Sequence, residues 1–501
     1  MSKPAPFPIG PHDDTLVRHV HPPDWPSPTP RNPYNLIAIG GGAAGLVSTM
    51  GTAGLGGHSA LIEKHLLGGD CLNVGCVPSK ALLRAAHAAH AARQAHAFGV
   101  NTTVEVDFAA VMTRLRASRA AIAPHDAAAR FRDGGVDVFF GEGRFTGPDT
   151  VSVNGKELRF RRAVIATGGR PAKPPIPGID DVDVLTSEEV FNLTELPQRL
   201  AVIGGGPIGC ELAQAFRRLG SEVTVIDMAD RLLPRDDPDA SALLTTQLQA
   251  EGITLALGAK VKAFERDDAQ RYVVYQADGQ THRLAVNHIL LAVGRTLNTR
   301  GLGLDAAGVQ IDERGKLILD DFLRTTNPRI YAAGDAAGRW QFTHTADATA
   351  RMVIRNALFF GRRRASALVV PWTTYTDPEV AHVGITHDEA ARRADITCFE
   401  QPFDGSDRHI VEGTAHGFAK VYVDPRGQIL GATLVGEHAG ELIAIVAALM
   451  QAGAPLSTLA EAMFPYPTRA EVLKRVADAQ ARTRLTPFTA RLLAAVLRWR
   501  R

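Results

Sequence analysis

Two of the four cysteines, Cys71 and Cys76, lie five residues apart in the segment Cys71-Leu-Asn-Val-Gly-Cys76. Glycines directly before this segment allow the backbone to approach a ligand closely. A helix is predicted over 79–96, and Pro78 is tolerated in its first turn. A cysteine near a helix N-terminus is favoured as the thiolate by the helix dipole. Two such thiols at this spacing can close a short, reactive disulfide.

Two inert buried cysteines, or half of a zinc site, are the alternatives for this pair. No second Cys or His pair stands nearby at ligand spacing, so we assign no metal. Lys80 follows Cys76 by four residues on the predicted helix, where its charge favours the thiolate; a solvated surface lysine is the alternative. His87 and His90 share a face of this helix, and we expect that face to be solvated because no carboxylate accompanies them.

A glycine pattern, Gly-x-Gly-x-x-Gly, occurs twice, each time followed after 18 residues by an acid. Each copy predicts a strand, a glycine turn, a helix and a second strand. The glycines permit a tight turn, close approach to a pyrophosphate and helix–strand packing, while the acid accepts from a ribose. The repeat therefore predicts two dinucleotide sites. Its residues are Gly40, Gly42 and Gly45 with Glu63, and Gly204, Gly206 and Gly209 with Asp227.

The composition is that of a globular protein of about three domains. The 55 basic and 53 acidic residues leave a net charge of +2, which gives no reason to expect a nucleic-acid partner. Four cysteines are too few for an extracellular disulfide framework. Residues 1–14 lack the apolar stretch of an export signal, and no segment offers about 18 uninterrupted apolar residues. We therefore expect a cytoplasmic protein.

Ten prolines fall within the first 33 residues. This density is expected to prevent helix and sheet, so we predict an extended, mobile tail with order beginning at Tyr34. Residues 371–480 lack glycine triplets and mix strand-like with helical runs, which indicates a separate domain. Further strands ending in a glycine turn or an acid are predicted over 162–170, 289–295 and 330–335.

The segment Gly68-Gly-Asp-Cys-Leu-Asn-Val-Gly-Cys-Val-Pro-Ser-Lys80 resembles the redox loop of the pyridine nucleotide–disulfide oxidoreductases. The motifs follow the family's order over roughly residues 34–480. The resemblance implies an α/β fold with two Rossmann-like domains, for FAD and NAD(P), a C-terminal α+β dimerisation domain, and a homodimer. The expected divisions are a Pro-rich tail at 1–33, an FAD-binding domain at 34–190 and 319–364, an NAD(P)-binding domain at 191–318, a dimerisation domain at 365–480 and a basic tail at 481–501.

The resemblance also implies roles around the redox pair. Cys71 would be the interchange thiol that faces the substrate, and Cys76 the charge-transfer thiolate against the flavin. Lys80 and Glu211 would form an ion pair near the flavin's reactive nitrogen. The helix that opens at Thr343 would point its N-terminus at the flavin's carbonyl end, stabilising negative charge there.

Asp335 would hold the ribityl chain of FAD. For His344, beside the implied flavin, tuning of the flavin and simple packing both remain open. The other residues expected at the cofactors, besides the glycine triplets and their acids, are Lys64, Gly69, Thr167, Gly168 and Gly294.

Asp227 predicts a preference for NADH over NADPH, because a carboxylate accepts from a 2′-hydroxyl and repels a 2′-phosphate. NADPH-using glutathione reductases have arginines where this chain has Asp227 and Leu233. Arg231 lies nearby and weakens the argument.

One departure from the family concerns the acceptor. Disulfide-reducing members carry His-Pro-Thr-x-x-Glu near the C-terminus, and the histidine serves the partner subunit's site. Here the segment is Tyr466-Pro-Thr-Arg-Ala-Glu471. An unperturbed tyrosine titrates near ~10, which makes it a poor proton shuttle at neutral pH. The tyrosine resembles mercuric reductase, yet no cysteine follows Cys398 to deliver a metal.

Residues 487–501 predict an amphipathic helix, with Phe488, Leu492, Val496 and Trp499 near one face. Residues 482–501 hold six arginines and no acid. Packing on the dimer and contact with a membrane surface are the two interpretations.

The leading hypothesis is an FAD-dependent NAD(P)H oxidoreductase that passes electrons through Cys71 and Cys76 to an unidentified small acceptor. A disulfide reductase or dihydrolipoamide dehydrogenase with Tyr466 in place of the histidine is the first alternative. A flavoprotein that senses redox state, docked to a membrane partner, is the second.

Overall fold

The computed structural model describes residues 10–267 and 270–501. The first unit is built around a sheet whose central strands are apolar and buried. Its elements are α1 (Pro11–Val20), β1 (Tyr34–Ile39), α2 (Ala43–Gly54), β2 (Ser59–Glu63), α3 (Gly69–Asn73), α4 (Cys76–Gln94), α5 (Phe108–Ile122), α6 (Ala128–Asp133), β3 (Val136–Phe140), β4 (Arg144–Gly147), β5 (Thr150–Val153), β6 (Lys156–Ile165) and β7 (Gly169–Pro171).

The second unit repeats the strand–glycine–helix–strand order and inserts an antiparallel meander before its last parallel strand. Its elements are β8 (Arg199–Ile203), α7 (Pro207–Leu219), β9 (Glu222–Ile226), α8 (Pro238–Ala250), β10 (Thr254–Ala256), β11 (Lys260–Asp267), β12 (Gln270–Ala277), β13 (Gln280–Val286), β14 (His288–Leu291) and β15 (Arg295–Leu297).

The chain then returns to the first unit before it forms the C-terminal domain. These elements are β16 (Ile330–Ala332), α9 (Thr343–Leu358), β17 (Pro371–Thr374), β18 (Glu379–Gly384), α10 (His387–Ala391), β19 (Thr397–Pro402), α11 (Asp407–Glu412), β20 (Phe418–Val423), β21 (Ile429–Gly436), α12 (Ala439–Ala452), α13 (Ser457–Glu461), α14 (Glu471–Thr483) and α15 (Pro487–Trp499).

The sheets explain why distant motifs meet. In the first unit the order is β3-β2-β1-β6-β5-β4, with β16 also paired to β6, and β1, β2, β3, β6 and β16 run parallel. In register, Ile39 lies opposite Ile165, which lies opposite Ala332. Because the carboxyl ends of parallel strands meet at one edge, the turns after β1, β6 and β16 converge there.

The second unit has a corresponding edge in its own sheet, which is formed by the parallel strands β10-β9-β8-β14. The C-terminal domain is an antiparallel sheet, β17-β18-β21-β20-β19, with α12 and α14 packed against it. The predicted fold class, two Rossmann-like units and a C-terminal α+β domain, is therefore confirmed.

The prediction that order begins at Tyr34 is wrong. Residues 11–20 form α1, in which Leu16 and Val20 are fully buried, and Val20 O accepts a hydrogen bond from Leu67 N at 3.1 Å. Pro11 stands at the helix start, where a missing N–H costs nothing, so the prolines do not prevent this helix. Residues 1–9 lie outside the described part of the chain.

The predicted helix over 487–501 is present as α15, capped by Thr486 and without a buried residue. In the described ranges, no helix combines the length and apolar character needed to span a membrane.

Candidate functional site

The two cysteines lie on consecutive helices at the edge where the first unit's turns converge. Cys71 is in α3, and Cys76 is the first residue of α4. Both are free thiols here. The Cys76 Sγ lies 3.3 Å from Oγ1 of Thr343, the first residue of α9, so two helix N-termini meet at this sulfur. Partial positive charge at both helix ends favours a thiolate there.

The surroundings shift the pKa values of the two thiols in opposite directions. A hydrogen bond from Cys71 lowers the pKa of Cys76 to about 6, against the opposing effect of burial and with help from Thr343 and the charge of Lys80. Hydrogen bonding to Cys76 and burial both raise the pKa of Cys71. At neutral pH the reduced pair therefore carries one thiolate, at Cys76, and one protonated thiol, at Cys71.

Lys80 and Glu211 form the ion pair that the resemblance implies. The Lys80 Nζ lies 2.8 Å from Glu211 Oε2, and Glu211 is almost fully buried. The other carboxylate oxygen, Oε1, accepts from the backbone N–H of Tyr375 at 2.9 Å, while the ammonium stands 4.4 Å from the Tyr375 ring centroid. One carboxylate thus connects all three domains beside the redox pair.

The glycine turns have the geometry that a bound pyrophosphate needs. Gly40 and Gly204 have φ of +108° and +113°, and a Cβ would come within 2.2 Å of Ala166 O and 2.5 Å of Ala292 O. A Cβ on Gly69 would come within 2.7 Å of the Gly42 Cα, so the redox loop touches the first turn through glycine alone.

The two acids have matching partners. Glu63 accepts from Gly41 N at 2.5 Å and from His65 N at 2.6 Å. Asp227 accepts from Gly205 N and from Ala229 N, the latter at 2.7 Å. Each carboxylate is therefore held beside its glycine turn, where a ribose would lie.

Helices α2 and α7 begin directly after Gly42 and Gly206, and no side chain caps either N-terminus. Uncapped N-termini beside glycine turns fit the phosphates of two dinucleotides. Asp335 lies in a short 3-10 turn after β16, and burial raises the pKa of its carboxyl. A half-buried carboxyl at this edge fits a hydroxyl donor such as a ribityl chain. The residues present thus fit FAD and a nicotinamide nucleotide.

The remaining cofactor candidates lie at the same two edges. Thr167 and Gly168 follow β6, and the Thr167 hydroxyl donates to Asn298 O at 2.7 Å. Gly294 follows β14 with φ of +114°. Lys64 is exposed next to Glu63.

Sequence reasoning missed Arg295, although it ends a predicted strand. Its guanidinium donates to the Asp70 carboxylate and to Gly169 O, and lies 3.5 Å from Asp335. Asp70 precedes Cys71, so Arg295 ties the redox loop to the predicted FAD edge. The only indication of this role in the sequence was the position of Arg295 directly after Gly294.

A second missed group is Arg119, which is fully buried in α5. It donates to Asn73 O at 2.8 Å and to Asp13 Oδ1 at 3.1 Å. Asn73 ends the helix that carries Cys71, so α1 supports the redox loop through this arginine. No local pattern indicates a contact between residues 106 positions apart.

Tyr466 and Glu471 do not meet the cysteines within one chain. Tyr466 is 71% exposed and its hydroxyl donates to Asp407 Oδ2 at 2.6 Å, a contact that raises the pKa of the phenol. Glu471 Oε1 accepts instead from Arg475, at 3.0 and 3.1 Å. Asp407, the partner of Tyr466, was not foreseen because 59 residues separate the two.

Three histidines considered from the sequence, His87, His90 and His344, have defined surroundings. His87 and His90 are half-buried rather than solvated, and burial lowers the pKa of each. The expectation of a solvated face is therefore wrong, because α4 packs against α7. His344 stacks on Phe342, and its Nε2 contacts Pro371 O at 2.7 Å.

Comparison with known proteins places these features in one family. Residues 34–350 match the model described as pyridine nucleotide-disulphide oxidoreductase, and residues 370–477 match the dimerisation domain of the same family. The second match supports a homodimer.

Among curated relatives, a mercuric reductase of Bacillus cereus is 37% identical over 88% of this chain and 70% of its own length. A dihydrolipoyl dehydrogenase of Thermus scotoductus is 36% identical over 89% of this chain and 97% of its own. Among solved structures, the Cu(II) complex of the HOCl-induced flavoprotein disulfide reductase RclA from Escherichia coli is 32% identical, covering 88% of this chain and 98% of that one, with a TM-score of 0.79. This chain therefore belongs to the pyridine nucleotide-disulphide oxidoreductases, FAD-dependent enzymes that use a nicotinamide nucleotide.

Proposed function

We propose that this chain moves an electron pair from NADH to the Cys71–Cys76 pair and then to a small acceptor. The observation that carries the proposal is the setting of Cys76, whose sulfur meets Thr343 at a helix N-terminus while Lys80 and Cys71 lower its pKa. When bound, FAD would relay the electron pair from nicotinamide to disulfide. The cytoplasm is the proposed location, because a cycling dithiol suits a reducing compartment.

The chain's own residues have separable tasks. Cys76 would hold the thiolate against the flavin, and Lys80 with Glu211 would balance charge beside it. Cys71, kept protonated until it reacts, would exchange with the acceptor. These assignments follow the family resemblance and agree in direction with the pKa shifts of the two thiols.

Two-electron reduction should give a long-wavelength charge-transfer band from the Cys76 thiolate to oxidised FAD. Because the pKa of Cys76 is lowered, the band should persist at neutral pH and fade as pH falls through about 6. Cys76→Ser should abolish it, and Cys71→Ser should show it without reductant. Absorption spectra of the purified variants check this, with the exposed Cys398→Ser as the control. Unchanged spectra and activity in both redox-pair variants would refute the assignment.

The preference for NADH is proposed from the end of β9. Asp227 lies beside the glycine turn, where it can accept from a 2′-hydroxyl and would repel a 2′-phosphate. Arg231, which could favour a phosphate, donates instead to Pro234 O at 2.9 Å and Asp236 O at 3.2 Å within its own loop.

Wild type should therefore show a higher kcat/KM with NADH than with NADPH. Asp227→Ser should lower the ratio of kcat/KM with NADH to kcat/KM with NADPH by roughly tenfold, equivalent to about 1.4 kcal/mol. Asp230→Ser, an exposed acid in the same loop, should leave the ratio unchanged. Steady-state kinetics with both nucleotides measure this, and a wild-type preference for NADPH would reverse the proposal.

Tyr466 is proposed to act across the dimer interface on an acceptor that needs no general base. Its phenol can donate a hydrogen bond to a bound oxidant, but Asp407 raises its pKa further from neutrality. A tyrosine at this position is therefore better suited to a metal-like or oxidant acceptor than to a thiol-leaving disulfide. The alternative, a disulfide reductase in which Tyr466 replaces the histidine, predicts ordinary rates with lipoamide or glutathione disulfide.

Tyr466→His should raise turnover of small disulfides by up to ~10²–10⁴-fold, the range of a positioned acid–base group. Tyr466→Phe should slow the reaction of the true acceptor, and Met463→Ala, an exposed neighbour, serves as the control. Steady-state assays with glutathione disulfide, lipoamide and a quinone test this. The proposal would be refuted if wild type reduced disulfides fast and both tyrosine variants matched it. Full activity in a monomer would refute it as well.

We also propose that α15 lies on an anionic membrane surface. The large apolar side chains of the helix are solvent-exposed in the chain, with Phe488 at 76% and Trp499 at 84%. The six arginines and the absence of acids in 482–501 complement anionic lipid headgroups, each contributing about 1 kcal/mol near the surface.

The full-length protein should sediment with vesicles that contain phosphatidylserine and should stay in solution with pure phosphatidylcholine. Truncation after Leu485 should abolish sedimentation, and added salt should weaken it. A truncation that instead dissociates the dimer, with no vesicle binding by the full chain, would assign α15 to dimer packing.

A further inference from the structure

The intercysteine segment, residues 72–75 between the two redox cysteines, is anchored at its middle. The Asn73 amide Nδ2 donates to Leu67 O at 3.0 Å and to Gly69 O at 2.8 Å, which ties the segment to the residues before it. The Asn73 carbonyl oxygen accepts from Arg119 Nη1 at 2.8 Å. Asn73 is 5% exposed and Arg119 is fully buried, so water does not compete for these hydrogen bonds.

Arg119 is fixed in turn by helix α1. Its Nη2 donates to Asp13 Oδ1 at 3.1 Å, and the Asp13 side chain is 4% exposed. Leu16 and Val20 of the same helix belong to one buried apolar cluster with Leu72 of the intercysteine segment. Helix α1 therefore supports the segment through one charged contact and through apolar packing.

The stability of the fold does not by itself account for this ion pair. Moving two charges out of water is costly, and a buried ion pair is often no more stabilising than apolar residues of similar volume. Burial lowers the pKa of the Arg119 guanidinium to about 10 and raises the pKa of the Asp13 carboxyl. What distinguishes the pair is the group to which Arg119 also donates, a backbone carbonyl between the two cysteines.

Asp13 lies outside the residues that match the family. That match begins at residue 34, whereas α1 spans Pro11–Val20. The redox cysteines and Lys80 lie within the match. Part of the support for the intercysteine segment therefore comes from a stretch of chain that precedes the shared domain.

We propose that Asp13 and Arg119 are positioning residues that hold the sulfurs of Cys71 and Cys76 together and so make the dithiol a stronger reductant. This inference rests on the proposed function, because it concerns the same redox pair. A disulfide forms only when two sulfurs meet in a narrow geometry, and a held segment loses little conformational freedom when the bond closes. A loosened segment loses more, so its disulfide is less stable and its dithiol gives up electrons less readily.

Closure of the disulfide balances in atoms and charge. The Cys71 thiol releases its proton, one Sγ–Sγ bond forms with the Cys76 thiolate, and two electrons leave to the small acceptor of the proposed function. Two electrons from NADH later break the bond, and Cys71 takes up a proton again. Neither Asp13 nor Arg119 gains or loses a proton or an electron in these steps.

The equilibrium between dithiol and disulfide measures this role directly. The FAD-loaded full-length enzyme is equilibrated with mixtures of reduced and oxidised dithiothreitol, free thiols are alkylated, and mass spectrometry counts the modified cysteines. Arg119→Met should lower the equilibrium constant for disulfide formation by about tenfold, which is about 30 mV for a two-electron couple. Arg119→Lys, which keeps a buried cation, should restore part of the loss, and Asp13→Asn should lower the constant by a smaller factor.

Matched controls are present on both helices. Asp14→Asn changes an exposed acid next to Asp13. Arg116→Met removes an arginine that lies 3.9 Å from Asp13 but donates to Leu193 O at 3.1 Å instead of to the intercysteine segment. Neither control should change the equilibrium constant. The rate at which NADH reduces bound FAD should be the same in all variants, which shows that each is folded and loaded.

The outcomes separate this inference from the proposed function. If Arg119→Met and Asp13→Asn unfold at a lower temperature but keep the wild-type equilibrium constant, the ion pair is only structural; the inference is then overturned and the proposed function stands. If Arg119→Met does not fold, Arg119→Lys and Asp13→Asn decide in the same way. If wild type forms no Cys71–Cys76 disulfide at any ratio of reduced to oxidised dithiothreitol, the proposed function itself falls.

Discussion

The structure depends on one nearly buried carboxylate, Glu211. It belongs to α7 of the second nucleotide-binding unit, accepts from Lys80 of the first, and accepts from the backbone of Tyr375 in the C-terminal domain. A buried carboxylate is tolerated only when its oxygens are satisfied, so the three domains must keep this arrangement. The helix that carries Cys76 is thereby fixed relative to the helix that begins at the second glycine turn.

A second set of contacts also fixes the second nucleotide-binding unit in place. Lys420, buried in β20, lies 3.2 Å from Asp237 at the start of α8, and the Tyr422 hydroxyl donates to the same carboxylate at 3.1 Å. These contacts hold the second unit against the C-terminal sheet. Electron transfer between a nicotinamide, a flavin and a dithiol requires well-defined distances, and ion pairs of Glu211 and Asp237 connect this unit to its neighbours.

The sequence predicted those parts of the site in which the functional residues lie close together in the chain. The glycine turns with their acids and the Cys71–Cys76 spacing are local patterns with a physical reason, and the glycine pattern with its acid occurs twice. Lys80 and Glu211 could be paired only through family resemblance, since 131 residues separate them. The pairs of Arg119 with Asp13, Arg295 with Asp70 and Tyr466 with Asp407 could not be predicted, because side-chain partners far apart in sequence leave no local periodicity. The proline-rich start misled for a related reason: Pro11 suits a helix N-terminus, and the surface that buries α1 is distant in sequence.

Helix α1 supports the redox loop while it stays covalently connected to the first unit. It contacts Leu67, directly before the redox loop, and through Arg119 it contacts Asn73 within the loop, while residues 21–33 connect it to β1. Such a tether gives a segment an effective concentration on the order of millimolar at its binding site. The support is therefore intramolecular and independent of how dilute the enzyme is. Cleavage of the chain between α1 and β1 would convert it into a bimolecular association, and the loop that holds Cys71 would then depend on the peptide's concentration.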